Sequence, residues 1–264
     1  MISRKKPMKK RLDILLCDRG LAPSREKARG MVMAGEVSVD GRLVDKPGSQ
    51  VDPESQIVIK ARTRYVSRGG EKLHHALEAF LPDIRGWVCA DVGASTGGFT
   101  DCLLQHGVER VYAIDVGYGQ IDYRLRQDSR VLLMERTNAR YLESLPERVQ
   151  LVTVDASFIS LKLLLPAIKG WLHPNASVIA LIKPQFEAGR ESVGKGGVVR
   201  DTAIHRKVLH DILDFAQQIG LPPQKLISSP IKGPAGNIEF LVWLCLTEED
   251  VTVSPDSLIA QVLP

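Results

Sequence analysis

Apolar positions are arranged differently in two parts of the chain. In the first part the runs are short. Leu12, Leu15 and Leu16 recur at helical spacing, and Gly20 stops that helix. Ser24 stands where an N-cap belongs, ahead of a helix predicted from Arg25 to Ala34 and ended by Gly35. Val37 and Val39 alternate as a strand, and Asp40-Gly41 is a hairpin turn signal. Arg42 to Val44 and Gln56 to Lys60 supply two further strands. Residues 1–62 therefore predict a small α+β domain, with 63–70 as linker.

From Trp87 the pattern changes. Short, almost wholly apolar runs alternate with amphipathic stretches. Trp87 to Asp91, Val111 to Asp115, Val131 to Met134, Leu151 to Asp155 and Ser177 to Lys183 read as strands. Glu71 to Leu81, Ile159 to Trp171 and Thr202 to Ile219 read as helices. Continuous apolar strands joined by helices predict a parallel sheet covered on both faces. The run Ile238 to Leu246 follows Lys225 to Pro230 after a short loop, which fits an antiparallel pair at the sheet edge. Residues 71–264 thus predict an α/β, Rossmann-like domain whose sheet is parallel except for one strand.

Charge sharpens the division. Residues 1–70 carry 16 Lys+Arg against 8 Asp+Glu, while the remainder carries 19 against 23. The basic excess lies in the first part, where Arg25 and Arg29, four apart on one helix, face the same way. Such a surface suits a polyanion, because neutralising phosphates releases counterions. The cysteines Cys17, Cys89, Cys102 and Cys245 are scattered, with no zinc spacing, and read as reduced thiols of a cytoplasmic protein. No window approaches the roughly 20 apolar residues of a membrane helix.

The chemistry is expected at the carboxyl ends of the strands. The first ends in Asp91-Val-Gly93-Ala94-Ser95-Thr96-Gly97-Gly98-Phe99, where glycines let backbone approach a ligand. Asp115 ends the second strand, 24 residues after Asp91, and suits ribose hydroxyls. A dinucleotide site wants G-x-G-x-x-G, but Ser95 replaces the middle glycine. The acid two residues before Gly93 suits a cationic aminoacyl end better than a pyrophosphate. Both points favour a methyltransferase over a dehydrogenase. Asp155 and Lys183 end the fourth and fifth strands, Glu239 sits in the last, and Lys72 opens the helix before the first. Lys, Asp, Lys and Glu can thus converge on one cleft. Amine methylation is served by Asn or Asp followed by Pro-Pro and an aromatic; this chain has Lys183-Pro-Gln-Phe186. A lysine can take a proton when neutral or stabilise an alkoxide when charged, which is the help a ribose 2′-hydroxyl needs. The glycine-rich segment 188–200 is expected to be a mobile loop over RNA or cofactor. His74 and His75 are expected on a helix surface, and no metal is expected.

Two resemblances follow from these motifs. Arg11-Leu-Asp13 through Gly48, with Gly20, Ser24-Arg25, Ala28, Gly35, Val37, Val39 and Gly41, resembles the small RNA-binding domain of a small-subunit ribosomal protein. Ser67-Arg68-Gly69-Gly70-Glu71-Lys72, the 91–100 loop, Glu135-Arg-Thr-Asn138-Ala-Arg140, Val154 to Phe158, Lys183 to Phe186 and Gly236-Asn-Ile-Glu239 resemble the TlyA family, sometimes labelled hemolysin, whose catalytic domain is similar to FtsJ-type 2′-O-methyltransferases. Together they imply methyl transfer from S-adenosylmethionine to cytidine 2′-hydroxyls of ribosomal RNA in the ribosomal subunits. They imply a catalytic tetrad of Lys72, Asp155, Lys183 and Glu239. The cofactor would be held by Asp91, the loop Gly93 to Phe99, Asp115, Asn138 beside the adenine, and Asp155. Arg11, Arg25, Lys27, Arg29, Lys46 and Arg68 would face RNA. Gly70 stands where relatives often have Ala, a difference expected to put nothing in doubt. A pore-forming protein, or an RNA-binding protein without catalysis, is the alternative.

Overall fold

A computed structural model describes residues 9–33, 35–59, 64–81, 83–246 and 253–263. Ala34 and Lys60, expected to end a helix and a strand, and Thr63, the first expected linker residue, lie outside them. The chain divides into two compact units, Met1–Thr63 and Arg64–Pro264.

The first unit contains β1 (Lys10–Arg11), α1 (Leu12–Asp18), α2 (Arg25–Met33), β2 (Val37–Val39), β3 (Arg42–Leu43), β4 (Gln50–Val51) and β5 (Ile57–Ile59). The order β3-β2-β5 forms a small antiparallel sheet, and β1 pairs with β4. Leu12, Leu16, Ala28, Val32 and Val37 are fully buried and form its core. Ser24 caps α2 as expected: its Oγ accepts from Lys27 N at 3.2 Å.

The second unit opens with α3 (Gly69–Phe80), which starts two residues before the expected Glu71 and so takes in the last two residues of the expected linker. Then come β6 (Val88–Val92), α4 (Gly98–Gln105), β7 (Arg110–Ile114), α5 (Tyr123–Arg126), β8 (Val131–Met134), β9 (Val149–Val154), α6 (Leu161–Trp171) and β10 (Leu172–Ile182). After these follow α7 (Pro184–Glu187), α8 (Thr202–Gln218), β11 (Pro223–Ser228), β12 (Phe240–Cys245) and α9 (Pro255–Val262). The sheet order is β11-β12-β10-β9-β6-β7-β8, and β12 runs antiparallel to both neighbours. The other pairings are parallel. This is the expected sheet, with one refinement: the last strand is inserted between β10 and β11, and β11 takes the edge.

Alternation along the strands explains their unbroken hydrophobicity. Ala90, Val92, Val152, Val154, Ala180 and Ile182 point to one core, shared with α6, α8 and α9. Cys89, Leu151, Ile179, Leu181 and Leu241 point to the other, shared with α3 and α4. A strand buried on both faces has no polar side to display.

Candidate active site

The loop after β6 is shaped by positions only glycine tolerates. Gly93 has φ +83°, and a Cβ there would lie 2.8 Å from the carbonyl oxygen of Asp155. The loops after β6 and β9 therefore run in backbone contact. Gly97, at φ +93°, would meet Leu125 at 2.2 Å. Ser95 also takes a left-handed conformation, φ +48°, and its N–H donates to Asp115 Oδ2 at 2.8 Å. Asp115 Oδ1 accepts from Gly117 N at 2.7 Å. The carboxylate at the end of β7 is thus held by two backbone amides beside the glycine loop.

Asp91 does not reach the ligand-facing surface, contrary to the expectation of a direct cofactor contact. Its side chain is fully buried beneath the loop, where Thr100 Oγ1 donates to it at 2.6 Å and Thr153 Oγ1 at 3.2 Å. Burial pushes its carboxyl up to about 7, with Asp155 adding to the effect and the threonine hydrogen bonds opposing it. The reason is geometric: its side chain turns into the interior between β6 and α4.

Two adjoining cavities open at the carboxyl edge of the sheet. One, about 560 Å³, is walled by Ile114, Asp115, Asn138, Ala139, Phe158, Ile159 and Leu164. The other, about 290 Å³, is lined by Arg68, Lys72, Phe99, Lys183, Pro234 and Glu239, with Ala94, Thr96 and Gly98. They share Gly93, Ser95, Asp155 and Ser157. Gly97 is absent from both walls and acts instead as the turn into α4.

The four residues expected to converge do so as two ion pairs. Lys72 Nζ lies 2.5 Å from Glu239 Oε2, and Lys183 Nζ lies 2.7 Å from Asp155 Oδ1. Lys72, Lys183 and Glu239 are 7 %, 8 % and 1 % exposed, which makes these pairs interior features rather than surface ones. Lys183 also donates to Ser157 Oγ at 2.9 Å, and Gln185 Nε2 donates to Glu239 Oε1 at 3.3 Å. Glu239 precedes β12 rather than lying within it. Because β12 is reversed, its first residue pairs with Ile182, and Glu239 arrives at the edge where Lys183 leaves β10.

Ser157 and Gln185 are site residues that carried no assigned role in the sequence, although both lie inside motifs singled out there. Phe158 stands at the cavity wall, 89 % exposed, with φ +64° and its ring 4.9 Å from that of Phe186. A bulky aromatic in the left-handed region is an outlier held by its surroundings. Asn138 lines the larger cavity, and its side chain accepts from Arg140 N at 3.0 Å. Arg68 is exposed at the rim of the smaller cavity.

Three expectations change. His74 is not a plain surface residue: its ring bonds Arg64 at 2.6 Å and His106 at 3.3 Å and is partly buried. Segment 188–200 is tied down at its far end, where Val199 N donates to Asn237 Oδ1 and Asn237 Nδ2 to the Gly197 carbonyl, both at 2.9 Å. Gly70 is not interchangeable with Ala, because a Cβ would lie 2.2 Å from the ring of the buried Tyr65. Cys89 and Cys102 are buried and line neither cavity, and burial pushes both thiols up, Cys102 to about 12.

In the first unit, Asp13 is buried and accepts from Arg11 Nη2 at 2.8 Å, Arg11 Nε at 3.0 Å and Arg25 Nε at 3.2 Å. Arg11's hydrogen bond, with Arg25 assisting, holds its carboxyl down at about 2 despite burial. Arg11 and Arg25 thus each spend part of their guanidinium on the fold. Lys27, Arg29 and Lys46 are exposed.

Comparison with known proteins agrees with this geometry. Residues 65–246 match the FtsJ-like methyltransferase family, and residues 10–57 match the S4 domain. The YqxC protein of Bacillus subtilis is 49 % identical over 89 % of this chain and 85 % of its own. The 16S/23S rRNA (cytidine-2′-O)-methyltransferase TlyA of Mycobacterium tuberculosis is 44 % identical over 94 % of each chain. This chain belongs to the TlyA family. A solved structure described as a hemolysin, from Streptococcus thermophilus, superimposes with a TM-score of 0.72 at 45 % identity, over 96 % of this chain and 95 % of that one. Among the described residues of this TlyA-family chain, no helix is long and apolar enough to cross a membrane.

Proposed function

We propose that this chain methylates cytidine 2′-hydroxyls of ribosomal RNA, using S-adenosylmethionine held in the larger cavity. The observation that carries the reading is the pair of lysine–carboxylate contacts that line the smaller cavity, Lys72–Glu239 and Lys183–Asp155, the second reaching the junction with the larger cavity through Asp155. A 2′-hydroxyl is a weak nucleophile and needs a cation to stabilise the oxygen as its proton leaves.

The residues fit the cofactor. Asp115 offers a fixed carboxylate to ribose hydroxyls. Asn138, Ile159 and Leu164 give the adenine a mostly apolar slot with one polar edge. The backbone of Gly93 to Thr96, held by the Ser95 N–H bond to Asp115, faces the aminoacyl end. When bound, S-adenosylmethionine supplies an electrophilic methyl group. Lys183 meets the ribose hydroxyl, and Asp155 with Ser157 fixes the Lys183 ammonium. Lys183 Nζ passes one of its own protons to Asp155 Oδ1, 2.7 Å away, as it takes the hydroxyl proton, so the proton ends on the Asp155 carboxylate and Lys183 stays cationic beside the ribose oxygen. Lys72 and Glu239 line the same cavity, tied to the Lys183 segment by the Gln185 bond to Glu239. Phe158 offers an exposed ring on which an unstacked base can lie. Arg68 and the exposed cations Arg25, Lys27, Arg29 and Lys46 of the S4-like unit hold the RNA backbone.

The test is methyl transfer from labelled S-adenosylmethionine to isolated ribosomal subunits and free rRNA. Label on a ribose 2′-oxygen, with Lys183→Ala slower by about 10²–10⁴, is the expected result. Cofactor binding without label on any RNA would overturn the substrate; no cofactor binding would overturn the whole reading.

A further inference from the structure

We propose that Glu187 is a positioning residue that sets the geometry of the Lys183–Asp155 pair from the far ends of the two loops that carry it. The inference rests on the methyl-transfer reading above.

Lys183 and Asp155 follow adjacent parallel strands, β10 and β9, where Ala180 pairs with Val154. Each strand then gives way to a short segment: Pro184 to Glu187 after β10, and Ala156 to Ser160 after β9. Three contacts join the two segments. At the near end is the Lys183 ion pair with Asp155, supported by Ser157. In the middle the rings of Phe158 and Phe186 meet at 4.9 Å. At the far end Glu187 accepts from Ser160 Oγ at 2.6 Å and from Leu161 N at 2.8 Å.

The far contact is well made. Leu161 is the first residue of α6, and its N–H has no partner within the helix. Ser160 is the N-cap, and its Oγ accepts from Lys162 N at 3.2 Å while donating to Glu187. A carboxylate at a helix N-terminus is favoured by the helix dipole. Glu187 therefore ties the segment after β10 to the start of the helix that follows β9.

That tie has work to do because the intervening segment is strained. Phe158 holds φ +64°, a conformation that L side chains rarely adopt, in a residue that is 89 % exposed. Left alone, the segment would relax toward an ordinary backbone. It is prevented at one end by Lys183 and at the other by Glu187. Releasing Glu187 lets residues 156–160 swing, and Asp155 and Ser157 move off the Lys183 ammonium. Glu187 touches none of the reacting atoms, and of the RNA contacts proposed above only Phe158 lies on the segment it holds, so its effect should appear chiefly in the rate of the chemical step and only weakly in the capture of RNA.

The experiment is single-turnover methyl transfer to the rRNA substrate at saturating cofactor, with RNA affinity and thermal melting measured in parallel. Glu187→Ala is expected to slow transfer at least 10-fold with RNA affinity within twofold of wild type. Glu187→Gln keeps an acceptor for Leu161 N and is expected to recover at least a third of the wild-type rate. In a Phe158→Gly background, where the left-handed backbone needs no restraint, adding Glu187→Ala should cost less than threefold. A wild-type rate for Glu187→Ala, or an undiminished cost of that change in the glycine background, overturns the proposal. So does a rate loss in Glu187→Ala that simply follows the folded fraction seen by melting. Lys183→Ala runs alongside: if it keeps the wild-type rate, it is the methyl-transfer assignment that fails, and if it is inactive while Glu187→Ala is not, only the role of Glu187 fails.

Discussion

Lys72 and Glu239 stand 167 positions apart in the chain, yet their side chains meet at 2.5 Å in the interior of the second unit. Both are desolvated, so each depends on the other. Removing one partner leaves an uncompensated buried charge, which costs about 3–5 kcal/mol. Glu239→Ala should therefore lower the denaturation midpoint sharply. Lys72→Met combined with Glu239→Leu should recover much of that stability and still lack activity. Urea titrations of the two single variants and the double variant decide this; equal loss in all three would mean the pair is not the source.

Gly70 gives a second prediction. The first turn of α3 lies against the Tyr65 ring so closely that a Cβ would sit 2.2 Å from it. Gly70→Ala must displace either the ring or the helix, and overpacking of this kind costs about 1–3 kcal/mol. Because α3 carries Lys72, the same change should slow methyl transfer by more than its stability loss explains. Tyr65→Leu in the Gly70→Ala background relieves the clash and should restore part of the rate. No difference between Gly70→Ala and wild type in melting and turnover would show that the ring moves freely.

The buried Asp91 makes stability depend on pH in a definite sense. Its carboxyl titrates near 7 in the folded chain and near 4 when unfolded, because burial disfavours the charge. Between those values the unfolded state releases the proton first. This group thus costs stability as pH rises from about 4 to about 7, and the cost is constant above that. Asp91→Asn keeps the shape without the charge, and the threonine hydroxyls can turn to accept from its amide. Urea midpoints at pH 5 and pH 8 should differ less in Asp91→Asn than in wild type; identical differences would mean Asp91 ionises freely.

For the S4-like unit the expected signature is ionic strength. Arg29 is exposed and shares the face of α2 with Arg25. Arg29→Ala should weaken rRNA binding and reduce the slope of log affinity against log salt by about 0.7–0.9 for the lost phosphate contact. Asp13→Asn should act differently. It loosens Arg11 and Arg25 together and should destabilise the fold at neutral pH. That penalty disappears as pH falls toward 2, where the wild-type carboxyl also loses its charge. Melting curves at pH 7 and pH 3, beside binding curves at several salt concentrations, separate the two effects.

The strands of the second unit are legible in the sequence because burial on both faces writes them as unbroken apolar runs. The tetrad is legible because Asp155 and Lys183 directly follow such runs, and because the motifs around them resemble a known family. What escapes is whatever depends on packing between distant segments. Gly70 looks exchangeable until Tyr65 is beneath it. Asp91 looks like a ligand contact until its side chain is seen to turn inward toward Thr100 and Thr153. Glu187 looks like an ordinary charge at the end of a motif, since nothing local reveals that it reaches the start of α6. The start of α3 at Gly69 is missed for a related reason: two consecutive glycines argue against helix, and only close approach to Tyr65 and to Gly98 makes them useful there.

The reversed strand β12 also sets the order in which the charged cluster can be completed during synthesis. Lys72, Asp155 and Lys183 are carried by elements made before Glu239. Glu239 comes late, and it reaches the cleft only after β12 has slipped between β10 and an edge strand made before it. A nascent chain halted short of that insertion already holds the glycine loop and three of the four charges, but Lys72 has no counter-charge. Completion of the charged cluster therefore waits on the last-made strand of the seven-stranded sheet.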